Sequence, residues 1–181
     1  MSNPARVVVL AEDARQQRFA LRYLERLHYS VHDIRFTPLP SGRGSGEQWV
    51  RRRYADTVRD HRQRAARSEK ALVMLIDADA GTVAGHQAEL QSELAAAGLD
   101  RRKDAERIVH LIPKWSIETW ILCLNGRELD EDTSYRNEKI DGREITSAAN
   151  TFFDWSRPNF TVPRQCVPSL TAAFPEVRRL D

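Results

Sequence analysis

The sequence predicts one α/β domain built on a mostly parallel sheet of about four strands that is flanked by helices. Two runs, VVVL at 7–10 and ALVMLI at 71–76, are apolar without alternation, which is typical of strands buried on both faces of a parallel sheet. Amphipathic stretches of helical length follow the strand segments, and a βαβα order favours parallel strands with right-handed crossovers. A chain of 181 residues suits one such domain with a small appendage.

Four elements are expected in the first third of the chain: strands at 6–11 and 31–37, and helices at about 13–28 and 47–66. Phe19 and Tyr23 mark the buried stripe of the first helix, and Val50 and Tyr54 mark that of the second. The segment 31–37 alternates only weakly and is stopped by Pro38, which indicates a strand near an edge of the sheet.

The middle of the chain repeats this order, with strands at 71–76 and 107–112 and helices at about 83–97 and from 116 onward. Gly98 is a natural helix C-cap, Pro113 stops the fourth strand, and Ser116 is a plausible N-cap for the fourth helix, which Gly126 ends.

The pattern weakens after Gly126, so we expect an α/β domain over 1–126 and a helical or irregular extension over 127–181, packed on or beside it. A short apolar element is expected near 151–155, and a last helix opens at Pro168.

Charge is unevenly distributed, although the net charge is only +2. Residues 43–70 carry nine basic and four acidic side chains, whereas 128–144 carry three basic and seven acidic ones. A basic helix can follow a nucleic-acid backbone, or it can be a solvated face with no partner. The candidate phosphate-binding residues are Arg43, Arg51, Arg52, Arg59 and Lys114.

Acidic residues follow three of the predicted strands, where ligands of parallel sheets bind. Glu12 follows the first strand, Asp77 and Asp79 follow the third, and Glu118 lies in the first turn of the helix after the fourth. Clustered carboxylates are costly to keep ionised without a cation, and oxygen ligands suit Mg²⁺ or Mn²⁺. These four residues are therefore candidate metal ligands, with Glu12, Asp77 and Asp79 as candidate catalytic residues.

Three of these acids also have a simpler interpretation. Asp79 could cap the helix that follows it, and Glu12 and Glu118 could each favour a helix N-terminus. The glycine-rich stretch 42–46 matches neither a P-loop nor a dinucleotide-binding fingerprint. His86 and His110 are interpreted as packing or surface histidines, and the two cysteines lack the spacing of a structural zinc site.

The stretches VVLAE, ending at Glu12, and LIDAD, ending at Asp79, resemble the two acidic motifs of the Toprim (topoisomerase–primase) domain. The likeness covers roughly 5–125 and extends to stand-alone Toprim-type proteins and OLD-family nucleases of phage defence. It implies a Toprim- or Rossmann-like sheet, bound Mg²⁺ or Mn²⁺, and a further acid at Glu118. The chain departs from the family pattern at Asp13, where glycine is usual, and at Gln16, where an acid is common.

The leading hypothesis is a cytoplasmic, metal-dependent nuclease or related phosphoryl-transfer enzyme acting on DNA or RNA. The alternative is a non-catalytic accessory subunit of a defence complex that binds a partner such as an ATPase through 128–144 and through Phe152, Phe153, Trp155 and Phe160. A third hypothesis is a protein that binds or hydrolyses a small nucleotide through the glycine-rich stretch. The sequence leaves open the choice of DNA or RNA, the polarity of cleavage and the formation of a homo-oligomer.

Overall fold

A computed structural model describes residues 6–40, 46–65, 71–79 and 81–181 of the protein. Its sheet has four parallel strands in the order β2-β1-β3-β4. The strands are β1 Val7–Leu10, β2 Ile34–Phe36, β3 Ala71–Leu75 and β4 Ile108–Leu111. This confirms the predicted α/β class and the edge position of the second strand.

Six α-helices lie in the described part of the chain: α1 Ala14–Arg26, α2 Gly46–Ala65, α3 Val83–Ala96, α4 Ile117–Leu124, α5 Gly142–Ser156 and α6 Pro168–Val177. The first four lie where the sequence predicts them. The predicted strand at 31–37 is shorter, because Val31–Asp33 forms a 3₁₀ turn. Asp33 Oδ2 holds that turn by accepting hydrogen bonds from Ser30 N at 2.9 Å and Ser30 Oγ at 2.7 Å.

Two apolar cores lie on the opposite faces of the sheet, which explains why the strand sequences do not alternate. Val7 and Val9 of β1 join the core formed with α1, α4, α5 and α6. Val8 and Leu10 join the core formed with α2 and α3. Successive side chains of a strand point to opposite faces, so a strand covered on both sides is apolar at every position.

The C-terminal extension is more regular than the sequence suggested, because α5 spans fifteen residues rather than a short apolar element. Its start is a capping box, in which the Asp141 side chain accepts hydrogen bonds from the backbone N–H of Arg143 and Glu144 and the Glu144 side chain accepts one from Asp141 N. The D-x-x-E spacing at 141–144 was the available signal. Both α5 and α6 contribute side chains to the core that also contains α1 and α4.

His110 of β4 is a packing histidine, as the sequence indicated, and shares a hydrogen bond of 2.8 Å with Tyr54 Oη. Burial holds the pKa of His110 well below its usual value of 6.5, and the charges of Arg102 and Arg179 lower it further. Below about pH 6.5, the His110 imidazole therefore binds a proton in the unfolded chain but stays neutral in the folded chain. We expect this group to lower the free energy of unfolding by up to about 1.4 kcal/mol per pH unit below that point.

Urea denaturation at about pH 5, 6 and 7.5 measures this effect when His110→Gln is compared with the wild type. The variant should lose less stability than the wild type as the pH falls. Equal losses in the two proteins would contradict a neutral, buried imidazole.

Candidate functional site

The order of the strands creates a crevice between β1 and β3. From β1 the chain passes to β2 on one side, and from β3 it passes to β4 on the other. In open α/β sheets, ligands bind at such a switch point, outside the carboxyl ends of the strands. Glu12 lies two residues beyond β1 and Asp77 two residues beyond β3, so both acids flank this crevice.

Glu12 and Asp77 are in direct contact there. Asp77 N donates a hydrogen bond of 2.5 Å to Glu12 Oε1. Gln16 connects the two residues from the first turn of α1, since its Nε2 donates to Asp77 Oδ1 at 2.8 Å and its Oε1 accepts from Glu12 N at 2.9 Å. The sequence singled out Gln16 only as a departure from the family pattern, and its role in the site was missed. Each of its two polar ends is used, which links the backbone of Glu12 to the carboxylate of Asp77.

Burial dominates the electrostatics of this pair. Asp77 is only 4% exposed, and burial together with the charge of Glu12 raises the pKa of Asp77 well above its usual value. Burial, together with the charges of Asp79, Asp13 and Glu47, raises the pKa of Glu12 to about 8, although the hydrogen bond from Asp77 N lowers it. A negative charge is therefore unfavourable in this crevice unless a cation joins it.

The N-terminus of α2 packs directly against Glu12. A Cβ added at Gly46 would lie 2.8 Å from Glu12 Cβ and 3.0 Å from Glu12 Oε2. Only a residue without a side chain fits this approach, which also brings Glu47 to the same edge of the sheet.

Asp79 takes a left-handed backbone conformation, with φ of +43°, and its side chain is 40% exposed. It does not cap α3, because Thr82 Oγ1 accepts the hydrogen bond from Gly85 N instead. Its partner is Arg136, whose Nη2 donates to Asp79 Oδ1 and to Trp115 O and lies 3.7 Å from Asp77 Oδ2. No sequence pattern singled out this arginine, which lies in the acidic segment 128–144.

Glu118 is 4% exposed in the first turn of α4 and forms an ion pair with Arg15 of α1. In the described part of the chain, the predicted ligands Glu12, Asp77, Asp79 and Glu118 do not supply three ligand atoms within 4.8 Å of one another. The structure thus brings Glu12 and Asp77 together and pairs the other two acids with arginines. A metal shared by all four stays a prediction.

One set of residues does meet that spacing in the part of the chain that is described. Glu47 of α2 and His86 and Glu89 of α3 each offer a ligand atom within 4.8 Å of the others. From the sequence, His86 was interpreted as a packing or surface histidine. The His-x-x-Glu spacing at 86–89, which puts both side chains on one face of a helix, was the signal for this group.

The basic residues expected to bind phosphate are mostly paired within the protein. Arg43 lies outside the described residues, as do the other residues of 42–45 in the glycine-rich stretch. Arg51, Arg59 and Lys114 contact acidic side chains, and Arg52 is exposed on α2. Their partners are Glu47, Glu89 and Glu93 for Arg51, Asp56 for Arg59 and Asp132 for Lys114.

No family model, no curated protein and no solved structure matches this chain. The likeness to the Toprim domain therefore rests on the two short motifs that carry Glu12, Asp77 and Asp79. Among the helices of the described residues, none is both long enough and apolar enough to cross a membrane.

Proposed function

We propose that this protein is a divalent-cation-dependent phosphoryl-transfer enzyme, a nuclease acting on DNA or RNA, whose site is the crevice between β1 and β3. The supporting observation is the pair of carboxylates of Glu12 and Asp77, joined through Asp77 N at the switch point of the sheet with both pKa values raised. Perturbed carboxylates in a cleft of this kind mark candidate functional sites.

The carboxylates of Glu12 and Asp77 suit Mg²⁺ or Mn²⁺, because these ions prefer oxygen ligands. Glu12 and Asp77 would hold the ion, with Asp79 as a further ligand once Arg136 moves away. Such an ion, when bound, polarises a phosphoryl oxygen and lowers the pKa of water.

The remaining roles fall to the protein's own side chains. Gln16 holds Glu12 and Asp77 next to each other through its two hydrogen bonds. Glu12 Oε1 is occupied by Asp77 N, so its Oε2 is the atom that would bind the ion. Arg136, which contacts both Asp77 and Asp79, is suitably placed to move onto a substrate phosphate.

The test is cleavage of supercoiled plasmid and of single-stranded DNA and RNA by the purified full chain with Mn²⁺, Mg²⁺ or a chelator. We expect cleavage that needs the cation and that falls to below about one hundredth in Asp77→Asn, a loss of about 3 kcal/mol in transition-state stabilisation. Asp13→Asn is the matched control, because asparagine also caps a helix and Asp13 is not a proposed ligand. Cleavage of every substrate at the same rate by Asp77→Asn and the wild type would contradict the assignment.

The alternative, an accessory subunit of a defence complex that binds a partner protein or ATPase, finds less support. Of the aromatic residues expected at its interface, Phe152 is fully buried and Trp155 stacks on Phe160 at 6.1 Å. Among the described large apolar side chains only Val31 and Phe160 are strongly exposed. Co-purification of a partner, with no cation-dependent cleavage, would favour this alternative.

A further inference from the structure

A second polar cluster lies where the N-terminus of α2 meets α3. It consists of Glu47, His86 and Glu89, hereafter the His86 cluster. His86 is 8% exposed and lies against Gly81, since a Cβ added at Gly81 would lie 3.2 Å from His86 Cε1. The imidazole is therefore held between Gly81 and the carboxylates of two helices.

The imidazole nitrogen that points into the cluster lacks a hydrogen bond. His86 Nε2 is buried, makes no hydrogen bond with the described residues, and faces Glu47 Oε1 at 3.5 Å and Glu89 Oε2 at 3.8 Å. Glu89 Oε2 is likewise buried without a hydrogen bond to the described part of the chain. Buried polar atoms usually have hydrogen-bond partners, so both atoms are available to bind a ligand.

The guanidinium of Arg51 is the cation that faces the carboxylates of the cluster, and its contacts with them are long. Its Nη1 lies 3.4 Å from Glu47 Oε1 and 3.3 Å from Glu89 Oε2, the same two oxygens that His86 faces. These distances exceed the 2.7–2.9 Å or so of a charge-assisted hydrogen bond. Its Nη2 lies 3.4 Å from Glu93, so the guanidinium has a third carboxylate to hold it when it leaves the other two.

We propose that the His86 cluster is a binding site for a divalent transition metal of the Zn²⁺ class, separate from Glu12 and Asp77 and independent of the proposed nuclease activity. An imidazole nitrogen with two carboxylate oxygens suits Zn²⁺ better than Mg²⁺, which prefers oxygen ligands alone. Bonds of about 2.0–2.1 Å in a tetrahedral site place ligand atoms about 3.3 Å apart. The observed separations of 3.5 Å and 3.8 Å are close to that value.

Accessibility is consistent with this site. The Glu89 side chain is 42% exposed, so a metal ion and a water molecule can reach the cluster from solvent. Water would supply the fourth ligand, as it does in zinc sites with three protein ligands.

The experiment measures the affinity of the metal-free full chain for Zn²⁺ by competition with a chromophoric chelator. We expect Zn²⁺ to bind the wild type, and Glu89→Gln and His86→Gln each to weaken binding by at least about tenfold. Glu93→Gln is the matched control, because Glu93 contacts Arg51 but does not face His86, and it should change the affinity by less than about twofold. No Zn²⁺ binding by the wild type, or equal affinity in Glu89→Gln, would overturn the proposal.

Two further variants separate this site from its neighbours. Glu12→Gln should retain Zn²⁺ affinity, and a loss comparable to that of Glu89→Gln would assign the metal to the crevice and overturn the proposal. Arg51→Gln should bind Zn²⁺ at least about threefold more tightly, because a competing positive charge is gone. Weaker binding by Arg51→Gln would show that the acids need the guanidinium and form an ion-pair cluster only.

Cobalt gives a readout of the ligands themselves. The wild type loaded with Co²⁺ should show visible absorption bands that change in His86→Gln and persist in Glu93→Gln. Bands unaffected by His86→Gln would place the metal elsewhere and overturn the proposal.

Discussion

Replacing Glu12 by glutamine is expected to raise the free energy of unfolding at pH 7, without added metal, by up to about 3 kcal/mol. The glutamine Oε1 can still accept the hydrogen bond from Asp77 N, so the main change is the removal of a half-buried acidic group. In the folded protein Glu12 holds its proton up to about pH 8, whereas its usual pKa is 4.5. Folding thus takes up a proton between these two values.

The sign of the pH dependence follows from this proton uptake. Relative to Glu12→Gln, the wild type should lose stability as the pH rises from about 4.5 to about 8, and the two proteins should converge below about pH 4.5. Urea denaturation at several pH values measures the difference. Glu25→Gln, at a carboxylate on the surface of α1, is the control and should show no such gain. A Glu12→Gln protein less stable than the wild type at pH 7 would contradict the raised pKa.

A divalent cation that binds in the crevice should make the wild type more stable than Glu12→Gln, which reverses their order of stability in the metal-free state. Mn²⁺ or Mg²⁺ would then raise the melting temperature of the wild type more than that of Glu12→Gln, because a ligand that binds only the folded state stabilises it. The carboxylate that costs stability in the free protein would be the group that holds the ion. Such a trade of stability for function is common at active sites.

Replacing Phe152 by alanine is expected to lower the free energy of unfolding by about 3–5 kcal/mol. Phe152 of α5 is fully buried, and its ring lies 4.9–6.1 Å from four other aromatic rings. Those rings belong to Phe19, Tyr23, Trp120 and Phe174, on three other helices. A cavity at this point removes contacts to α1, α4 and α6 at once.

The neighbouring aromatic residue provides the control for this prediction. Phe153 is half-buried and stacks with the guanidinium groups of Arg26 and Arg157, at 4.8 Å and 4.4 Å from its ring centre. Phe153→Ala should cost about 1 kcal/mol. Chemical denaturation of both variants tests whether α5 is an integral part of the domain, and equal small losses would show that the segment folds separately.

The acidic segment 128–144 makes contacts within the protein that its composition does not reveal. The sequence indicated a polar stretch available to a partner, but several of its charges serve the protein itself. Asp132 pairs with Lys114, and both oxygens of Glu131 accept hydrogen bonds from Ser169 N at the start of α6, at 3.1 Å and 3.2 Å. Arg136 reaches back to the crevice. A polar segment can thus be held in place by ion pairs that periodicity does not reveal.

The sequence by itself determined the parallel sheet and the edge at which Glu12 and Asp77 lie. Strands that are apolar at every position must be covered on both faces, and parallel strands carry the residues that follow them to the same edge. It also located the four helices of 1–126, because their apolar stripes and caps are local signals.

Only the tertiary structure decided which side chains complete the crevice. Gln16 and Asp77 are 61 positions apart, Arg136 and Asp79 are 57 apart, and no local pattern links them. The same holds for Glu47 and His86, which meet because α2 and α3 pack on one face of the sheet. Hydrogen bonds and ion pairs depend on positions within fractions of an ångström, which long-range packing sets and residue spacing along the chain does not.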